Sequence, residues 1–176
     1  MYIRRADRAD LRECMALDHS YTTSHAWRFE EQEQDGTLSF VLRPVRLPHR
    51  AHVSYPKPLE HLRADWRVSP CFLVAHERGE IWGYIDLRLQ EWQRAGWIEH
   101  LGVDPKRRRQ GIGTALLARA ERWAVAHNLR RLMADVSTNN HAAICFLQTH
   151  RFVFCGFHDR YYANQDIALF FSKDLS

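Results

Sequence analysis

Residues 71–104 carry the pattern that most restricts the fold of this chain, three strand-like runs joined by two tight turns. The segment CFLVAHERGEIWGYIDLRLQEWQRAGWIEHLGVD has ERGE at its first turn and QRAG at its second. Within it, IWGYIDLRL alternates in polarity around Tyr84, Asp86 and Arg88. Such alternation is typical of antiparallel strands that bury one face. An antiparallel meander of three strands is therefore predicted.

A helical pattern follows the meander directly. GIGTALLARAERWAVAHN places Leu116, Ala120, Trp123 and Ala124 on one stripe at helical spacing. Beyond this helix, RRLMADVS, FVFCGF and IALFFS are typical of strands and NHAAICFLQTH of a short helix. Before the meander, YIRRA indicates a strand and ADLRECMALDHSY a helix. A meander that leads into strand–helix–strand–helix–strand predicts an α+β layered sheet, not a repeated doubly wound one.

Residues 28–70 follow no such regular pattern. The stretch VLRPVRLPHRAHVSYPKPLE contains four prolines, which restrict any strand there to the edge of a sheet or replace it by a loop. Aromatic and aliphatic residues nevertheless continue through the region. We therefore interpret residues 28–70 as a variable excursion within one domain of residues 1–176, and not as a linker between domains.

The composition restricts the partners and the compartment. The formal net charge of +4 favours an anionic partner but is too small to indicate nucleic acid. No apolar run approaches the roughly 18 residues of a membrane span, and the first residues lack the apolar core of a signal peptide. The four cysteines are scattered, and the eleven histidines follow no metal-ligand spacing. We therefore expect a cytoplasmic protein with reduced thiols, no metal and no membrane partner.

The string RRRQGIGTALL brings three arginines, a glutamine and two glycines to the start of the predicted helix. The first amides of a helix lack intrahelical partners and lie at the positive end of its dipole, so they suit a phosphate. Gly111 and Gly113 have no Cβ, which lets the backbone approach a ligand. The string matches neither a Walker loop nor the dinucleotide GxGxxG loop. On this string alone, an anion site and a solvated basic helix start are equally good interpretations.

In its context, the run Arg108-Arg109-Gln110-Gly111-Ile112-Gly113 resembles the Q/R-x-x-G-x-G/A signature of the GNAT superfamily of N-acetyltransferases, which lies between their fourth strand and third helix. Asn140, Ala143 and Phe146 are similar to the N-x-x-A-x-x-F motif of that family. IEHLGV resembles its fourth strand, and CGFHDRYYANQDIALFF resembles the tail of its streptothricin acetyltransferase-like members. The resemblance extends from about Phe72 to the end and is weak before it. It implies a mixed, mainly antiparallel central sheet with helices on both faces.

The resemblance also implies that acetyl-CoA binds in a cleft of this sheet, with its pyrophosphate on the amides of Arg109–Thr114 and its pantetheine arm along the predicted strand. The cofactor-binding residues so implied are Leu101, Gly102, Val103, Arg108, Arg109, Gln110, Gly111, Ile112, Gly113, Thr114 and Asn140. A glycine such as Gly102 inside a strand also indicates a bulge or a close backbone approach. Asn140 is equally suited to cap the helix that follows it.

The general acid is where the chain departs from the family pattern. Leu147 stands where members carry a tyrosine that protonates the departing thiolate, and Arg151 replaces a glycine. Loss of a general acid lowers a rate by about 10²–10⁴-fold. The leaving thiolate, however, has a pKa near the roughly 8.5 of cysteine, so water or another tyrosine can assist it. Tyr161 and Tyr162 are the candidates, and for each the alternative is an aromatic residue that merely flanks a strand.

Glu99 is the candidate general base. Strand side chains alternate, so Glu99 shares its side with Leu101 and Val103, where it can relay a proton through water. The alternative is a structural carboxylate paired with an arginine. His100 points to the other face and is the weaker candidate.

The leading hypothesis is an acetyl-CoA-dependent N-acetyltransferase that transfers acetyl directly to a primary amine of a small molecule or peptide, as a monomer or homodimer. Leu147 keeps open an acyl-CoA-binding regulatory module without turnover. A nucleic-acid binder is disfavoured because 21 acidic residues offset 25 basic ones and aromatic residues do not interleave with the basic ones. The acceptor stays open between a small cationic antibiotic, a protein N-terminus and a polyamine.

Overall fold

The structure is a computed structural model that describes residues 1–175, with the backbone alone for His61, Ala64 and Asp65. Within these residues the chain forms four α-helices and nine strands. The helices are α1 (Asp10–Ala16), α2 (Glu60–Asp65), α3 (Ile112–Ala126) and α4 (His141–Thr149). The strands are β1 (Tyr2–Arg5), β2 (Tyr21–Gln34), β3 (Thr37–Val53), β4 (Cys71–Glu77), β5 (Glu80–Gln90), β6 (Ala95–Val103), β7 (Arg131–Ser137), β8 (Val153–His158) and β9 (Ala168–Asp174).

The first of two compact units contains the predicted meander. This unit comprises Met1–His19, Lys57–Asp135 and Phe171–Ser176. Its strands follow the order β1-β4-β5-β6-β7-β9. The pairs β1–β4, β4–β5 and β5–β6 are antiparallel, whereas β6 and β7 are parallel. The prediction of a mixed, mainly antiparallel sheet is therefore confirmed.

Helices cover both faces of the sheet in this unit, as predicted. On one face, Val74 and Tyr84 join a buried cluster with Leu11 and Cys14 of α1 and with Leu62 of α2. On the other face, α3 packs against β4 and β5 through a stripe that includes the fully buried Leu116, Leu117, Ala120 and Ala124. Burial of one leucine side chain contributes about 1.5–3 kcal/mol, so these two layers supply much of the stability of the unit.

The second unit comprises Ser20–Pro56 and Val136–Phe170. It contains the two-stranded antiparallel ribbon β2–β3 and the strand order β7-β9-β8. The proline-rich region was predicted to be an edge strand or a loop, and it forms this ribbon. Pro44 pairs opposite Trp27 in the ladder, and Pro48 falls where the register shifts beyond His25. A ribbon leaves one edge of each strand outside the ladder, so proline removes few ladder hydrogen bonds there.

Three of the four helices lie where the sequence patterns predict them, with differences in length, and α2 was not predicted. The stripe predicted α3, and NHAAICFLQTH predicted α4. The short helix α2 directly follows a proline-rich segment, and no periodic pattern in the sequence predicts it. None of the helices in residues 1–175 combines the length and the apolar character needed to cross a bilayer.

An ion pair ties β1 to α1. The guanidinium of Arg4 donates from Nη1 to Oδ2 of Asp10 at 2.6 Å and from Nη2 to Oδ1 at 2.7 Å. The amide of Asp7 also donates to Asp10 Oδ2. Burial raises the pKa of Asp10, but the hydrogen bonds from Arg4 and from the Asp7 amide outweigh it, and the pKa is lowered overall.

We expect Asp10→Asn to lower the free energy of unfolding by about 1–2 kcal/mol at pH 7, because Arg4 loses a charged partner and is itself partly exposed. A carboxylate with a lowered folded pKa stabilises the fold above its unfolded pKa of about 3.9 and loses that effect as the pH falls through the folded value. The difference between wild type and variant should therefore shrink below about pH 4. Urea unfolding at pH 7 and pH 3 measures this, and a constant difference would contradict the assignment.

Candidate functional site

The edge of β6 that faces β7 is only partly covered. The parallel ladder pairs Ala95, Gly96, Trp97 and Ile98 of β6 with residues 131–134 of β7. For residues 99–103 of β6, the described residues provide no further pairs in this ladder. These five residues carry Glu99 and the segment Leu101–Val103 that the sequence assigned to cofactor binding. The structure therefore places them along an edge of β6 beyond the last pair with β7, which we call the open edge.

Glu99 lies in a β-bulge at the beginning of this edge. The register of β5 with β6 passes from Asp86 opposite His100 to Leu87 opposite Ile98, so Glu99 is the extra residue. A bulge re-aims the side chain that it carries. Glu99 Oε1 lies 3.6 Å from Nε of Arg88, and the two side chains are 25% and 53% exposed. The pairing with an arginine left open by the sequence is thus present, and the role of general base stays a prediction.

The backbone groups of Leu101 point to the same open edge. Along a strand, the N–H and C=O groups of alternate residues face the same side. The Glu99 carbonyl accepts from Lys57 Nζ at 2.9 Å, and the Val103 carbonyl accepts from Arg108 Nε at 3.1 Å. On the opposite side, the amide of Asp104 donates to the Trp82 carbonyl of β5. Leu101 lies two residues from both Glu99 and Val103, so its amide and carbonyl face the same open edge of β6.

Gly102 is explained by close packing and not by the bulge. A Cβ at this position would lie 2.7 Å from Nε2 of His19 and 3.0 Å from Cε1 of Tyr84. The predicted close approach is therefore observed, made by two side chains, while the bulge lies at Glu99. His19 is held there by a 2.8 Å hydrogen bond between its Nε2 and the Tyr84 hydroxyl.

His100 is 5% exposed and lies on the opposite face of β6 from Glu99, Leu101 and Val103. Burial, then the charge of Lys57 and the nearby His19, lower the pKa of His100 to about 3. The imidazole is therefore neutral at physiological pH and is poorly placed to exchange protons with water. This agrees with its lower rank as a base.

A short loop connects the end of β6 to α3. Asp104 Oδ1 accepts from the amide of Lys106 at 2.8 Å and caps a 3₁₀ turn over Pro105–Arg107. The side-chain amide of Gln110 donates to the Lys106 carbonyl at 3.1 Å. Arg109 has a φ of 65° and an exposed side chain. The loop is thus closed by its own side chains and reaches α3 through two residues of positive φ, the second being Gly111 at 82°.

The first turn of α3 is not capped by any described side chain, and Gly111 is its N-cap residue. The left-handed conformation of Gly111 favours glycine. Apart from its own neighbours along the chain, no atom of the described residues lies within 4 Å of the place where its Cβ would be. A capping side chain normally satisfies one of the first amides of a helix. At Gly111, the backbone instead begins the helix beside open space, which leaves room for an anion at this helix start.

Arg108 secures the loop by contacts that the sequence did not indicate. In addition to the Val103 carbonyl, its Nη2 donates to the carbonyl of Asp18 at 2.6 Å. One guanidinium therefore connects the end of β6 with the segment that follows α1. Its predicted contact with a phosphate stays a prediction.

Lys57 contacts the candidate site, although no sequence pattern indicates it. Its Nζ donates to the Glu99 carbonyl and, at 2.8 Å, to Oδ1 of Asp135. The same carboxylate oxygen accepts from Nε1 of Trp97 at 2.9 Å. Lys57 stands 42 residues before Glu99 in a proline-rich stretch, and no local pattern connects it with the strand.

The second unit contains Asn140 and Leu147. Asn140 Oδ1 accepts from the amide of Ala143 at 3.0 Å, so this residue caps α4 as one interpretation expected. Its contact with the pantetheine arm stays a prediction. Leu147 is 6% exposed within α4. The position assigned by resemblance to a general acid is therefore filled by a buried apolar side chain.

The two candidate acids differ in exposure. Tyr162 is 5% exposed and Tyr161 is 43% exposed. The Tyr161 ring makes edge contacts with Tyr162, His158 and Phe170 at centroid distances of 5.1, 5.4 and 5.5 Å. The Tyr161 ring is therefore packed by aromatic side chains and still reaches solvent, whereas Tyr162 is largely a core residue of this unit.

A third tyrosine of the second unit, Tyr21, has a buried hydroxyl. The Tyr21 hydroxyl is buried near Ser137 and Asp166, and Ser137 Oγ donates to Asp166 Oδ2 at 2.7 Å. Burial and then the Asp166 charge raise the pKa of Tyr21, so the phenol stays protonated. The three residues are far apart in sequence, and only the fold groups them.

Comparisons with known proteins fit this geometry. A sequence model described as "Acetyltransferase (GNAT) family" matches residues 45–152. Mycothiol acetyltransferase of Amycolatopsis mediterranei is 30% identical over 115 residues, which cover 57% of this chain and 38% of that protein. Streptothricin acetyltransferase A of Bacillus subtilis is 32% identical over 92 residues, which cover 50% of this chain and 53% of that protein. The matches thus span about half or less of these relatives.

Solved structures show the same fold. The crystal structure of nourseothricin acetyltransferase has a TM-score of 0.85 at 24% identity and covers 99% of this chain and 98% of its own. A structure from Bacillus anthracis, described as a streptothricin acetyltransferase in complex with acetyl coenzyme A, has a TM-score of 0.75 at 23% identity. It covers 98% of both chains.

We expect Arg108→Ala to lower the free energy of unfolding by about 1–2 kcal/mol, because two charge-assisted bonds to carbonyls are lost and one of them is exposed. Arg109→Ala is the matched control, since this neighbouring side chain is exposed, and its loss should stay within about 0.5 kcal/mol. Urea unfolding of both variants measures the difference. Equal losses would mean that the Arg108 contacts do not stabilise the loop.

Proposed function

Because the chain belongs to the Acetyltransferase (GNAT) family, we propose that it transfers the acetyl group of acetyl-CoA directly to a primary amine of a small molecule or peptide. The observation that carries this proposal is the open edge of β6, which leads into the uncapped first turn of α3. Acetyl-CoA supplies an activated acetyl thioester, and coenzyme A leaves as a thiolate. The names of the relatives support an amine-bearing small molecule as the acceptor.

The residues present fit this cosubstrate. The amides of Arg109–Thr114 form the pyrophosphate site, and the open space at Gly111 lets the phosphates reach the backbone. The amide and carbonyl of Leu101 hydrogen-bond the amides of the pantetheine arm, with Gly102 and Val103 continuing this wall. Arg108, Arg109 and Gln110 line the phosphate end, and Asn140 contacts the arm. With the phosphates at α3 and the arm along β6, the thioester end points towards Glu99.

Two side-chain roles complete the proposal. Glu99 takes the proton of the acceptor amine through a water molecule, since the bulge turns its half-buried carboxylate away from the regular strand. A lysine-like amine with a pKa near 10.4 needs such a base at neutral pH. Tyr161 or Tyr162 returns a proton to the thiolate in place of Leu147. Of the two, the exposure of Tyr161 supports it better.

The second candidate function is an acyl-CoA-binding module without turnover. The observation that favours it is Leu147, whose buried apolar side chain can donate no proton. A screen for free thiol with acetyl-CoA and with streptothricin, spermidine and a short peptide as acceptors distinguishes the two functions. Release of thiol with any acceptor supports the enzyme, whereas binding of acetyl-CoA with no thiol release supports the module.

The remaining parts of the proposal concern organisation. We propose that residues 1–176 act as one acetyltransferase domain, that residues 28–70 contribute to acceptor selection, and that the protein acts as a cytoplasmic monomer or homodimer. Support for a reducing compartment comes from the cysteines, since Cys14, Cys71, Cys145 and Cys155 are all free thiols.

We expect Gly111→Val to weaken acetyl-CoA binding by at least about 10-fold, because a side chain there blocks the phosphates from the helix amides. Gly79→Val is the matched control. Its φ of 86° is close to the 82° of Gly111, and the space at its Cβ is equally open. Both variants should lose a similar stability of about 1–2 kcal/mol. Calorimetric titration measures the affinity, and equal binding by both variants would remove the pyrophosphate assignment.

We expect Glu99→Gln to lower kcat about 10²-fold or more near pH 7 with a lysine-like acceptor. The loss should diminish as the pH approaches the amine pKa of about 10.4, because the base is then less needed. Arg88→Gln is the control, since it removes the ion pair and keeps the carboxylate. The pH profile of thiol release measures both variants. If they lose activity equally at every pH, Glu99 acts only through its ion pair.

A further inference from the structure

Lys57 forms a largely buried ion pair with Asp135 in the first unit. Its side chain is 14% exposed, and that of its partner Asp135 is 1% exposed. Nζ lies 2.8 Å from Asp135 Oδ1 and 2.9 Å from the Glu99 carbonyl. Trp97 donates to the same carboxylate oxygen. The three contacts connect the loop before α2 with β6 and β7.

The position of this contact coincides with the end of the parallel ladder. The last pair is Ile98 with Ala134, and the next residues of the two strands are Glu99 and Asp135. A carbonyl at the open edge of a strand needs another donor once its partner strand has gone. For Glu99 that donor is an ammonium group. A buried ammonium in turn needs a counter-charge, and Asp135 provides it.

We propose that Lys57 is a positioning residue that holds the open edge of β6 in the shape that receives the pantetheine arm. Its bond to the Glu99 carbonyl keeps the bulge in place, and its bond to Asp135 fixes the ammonium against β7. Leu101, two residues further along β6, then presents its amide and carbonyl at a constant position. This inference rests on the proposed function, because it assigns the edge to acetyl-CoA.

The competing role for Lys57 is to neutralise Asp135. Two double variants separate the roles, since both remove the buried charge. In Lys57→Met with Asp135→Asn, the side chain at position 57 has no donor for the Glu99 carbonyl. In Lys57→Gln with Asp135→Asn, a side-chain amide can again donate to it. The single variant Lys57→Met leaves Asp135 buried without a counter-charge and should be the least stable of the set.

We expect the Met/Asn pair to recover most of the stability lost in Lys57→Met and yet to raise the KM for acetyl-CoA about 10-fold, the effect of one lost hydrogen bond. The Gln/Asn pair should return KM to within about 3-fold of wild type. Hydrogen exchange of the ligand-free proteins provides a readout independent of activity. Peptides that cover residues 98–103 should exchange faster in the Met/Asn pair than in wild type or in the Gln/Asn pair.

Each outcome supports or overturns the positioning role of Lys57. Wild-type KM and wild-type exchange in the Met/Asn pair would overturn the positioning role, and Lys57 would then only neutralise Asp135. Equal defects in the two double variants would also overturn it, because the donor would not matter. If wild type itself binds no acetyl-CoA in calorimetry, the proposed function fails, and the assignment of the edge to that ligand fails with it. Exchange then reports separately whether Lys57 holds the strand.

Discussion

The end of the β6–β7 ladder at Ile98 and Ala134 is the constraint on which the candidate site depends. Beyond it, β6 keeps backbone groups that need partners. The chain provides one at each end of the open edge, Lys57 at the Glu99 carbonyl and Arg108 at the Val103 carbonyl. Leu101 lies midway between these two anchored carbonyls. The edge is thus fixed at its ends by side chains, while its middle keeps the polar groups that we assign to the pantetheine arm.

The two cations differ in what surrounds them, and therefore in what they contribute. Lys57 and Asp135 are almost removed from water, so each needs the other, and loss of one partner leaves an uncompensated charge. Arg108 binds neutral carbonyls, and its contact with Asp18 is exposed, so water competes with it. Water therefore competes less with the contacts at the Lys57 end of the edge than with those at the Arg108 end. The Lys57 end is also the end at which the reacting groups must be aligned in our proposal, where small displacements have large effects on rate.

The parts of the fold that follow from local patterns were predictable from the sequence. The meander and α3 come from polarity repeats, and the open approach to the Gly111 backbone comes from a glycine at a helix start. The rest depends on contacts between distant residues. Nothing near Lys57 indicates that it meets Glu99, and nothing near Arg108 indicates its two carbonyl partners. Gly102 indicated either a bulge or a close approach, because glycine is the local signal for both. The bulge lies at Glu99, and the glycine makes room for His19.

The distribution of the candidate residues along the chain explains why resemblance to known acetyltransferases is uneven. Glu99 and all the proposed phosphate and pantetheine residues except Asn140 lie in one continuous stretch, 99–114, of the first unit. A ligand that binds to backbone amides requires a particular backbone conformation. It therefore restricts where glycines stand and how far apart they are more than it restricts the identity of the other side chains. The β2–β3 ribbon belongs to the second unit and contains none of the residues that we assign to acetyl-CoA. If this ribbon selects the acceptor, its sequence can vary with the amine while the stretch 99–114 keeps its pattern, which agrees with a resemblance that begins at about Phe72 and is weak before it.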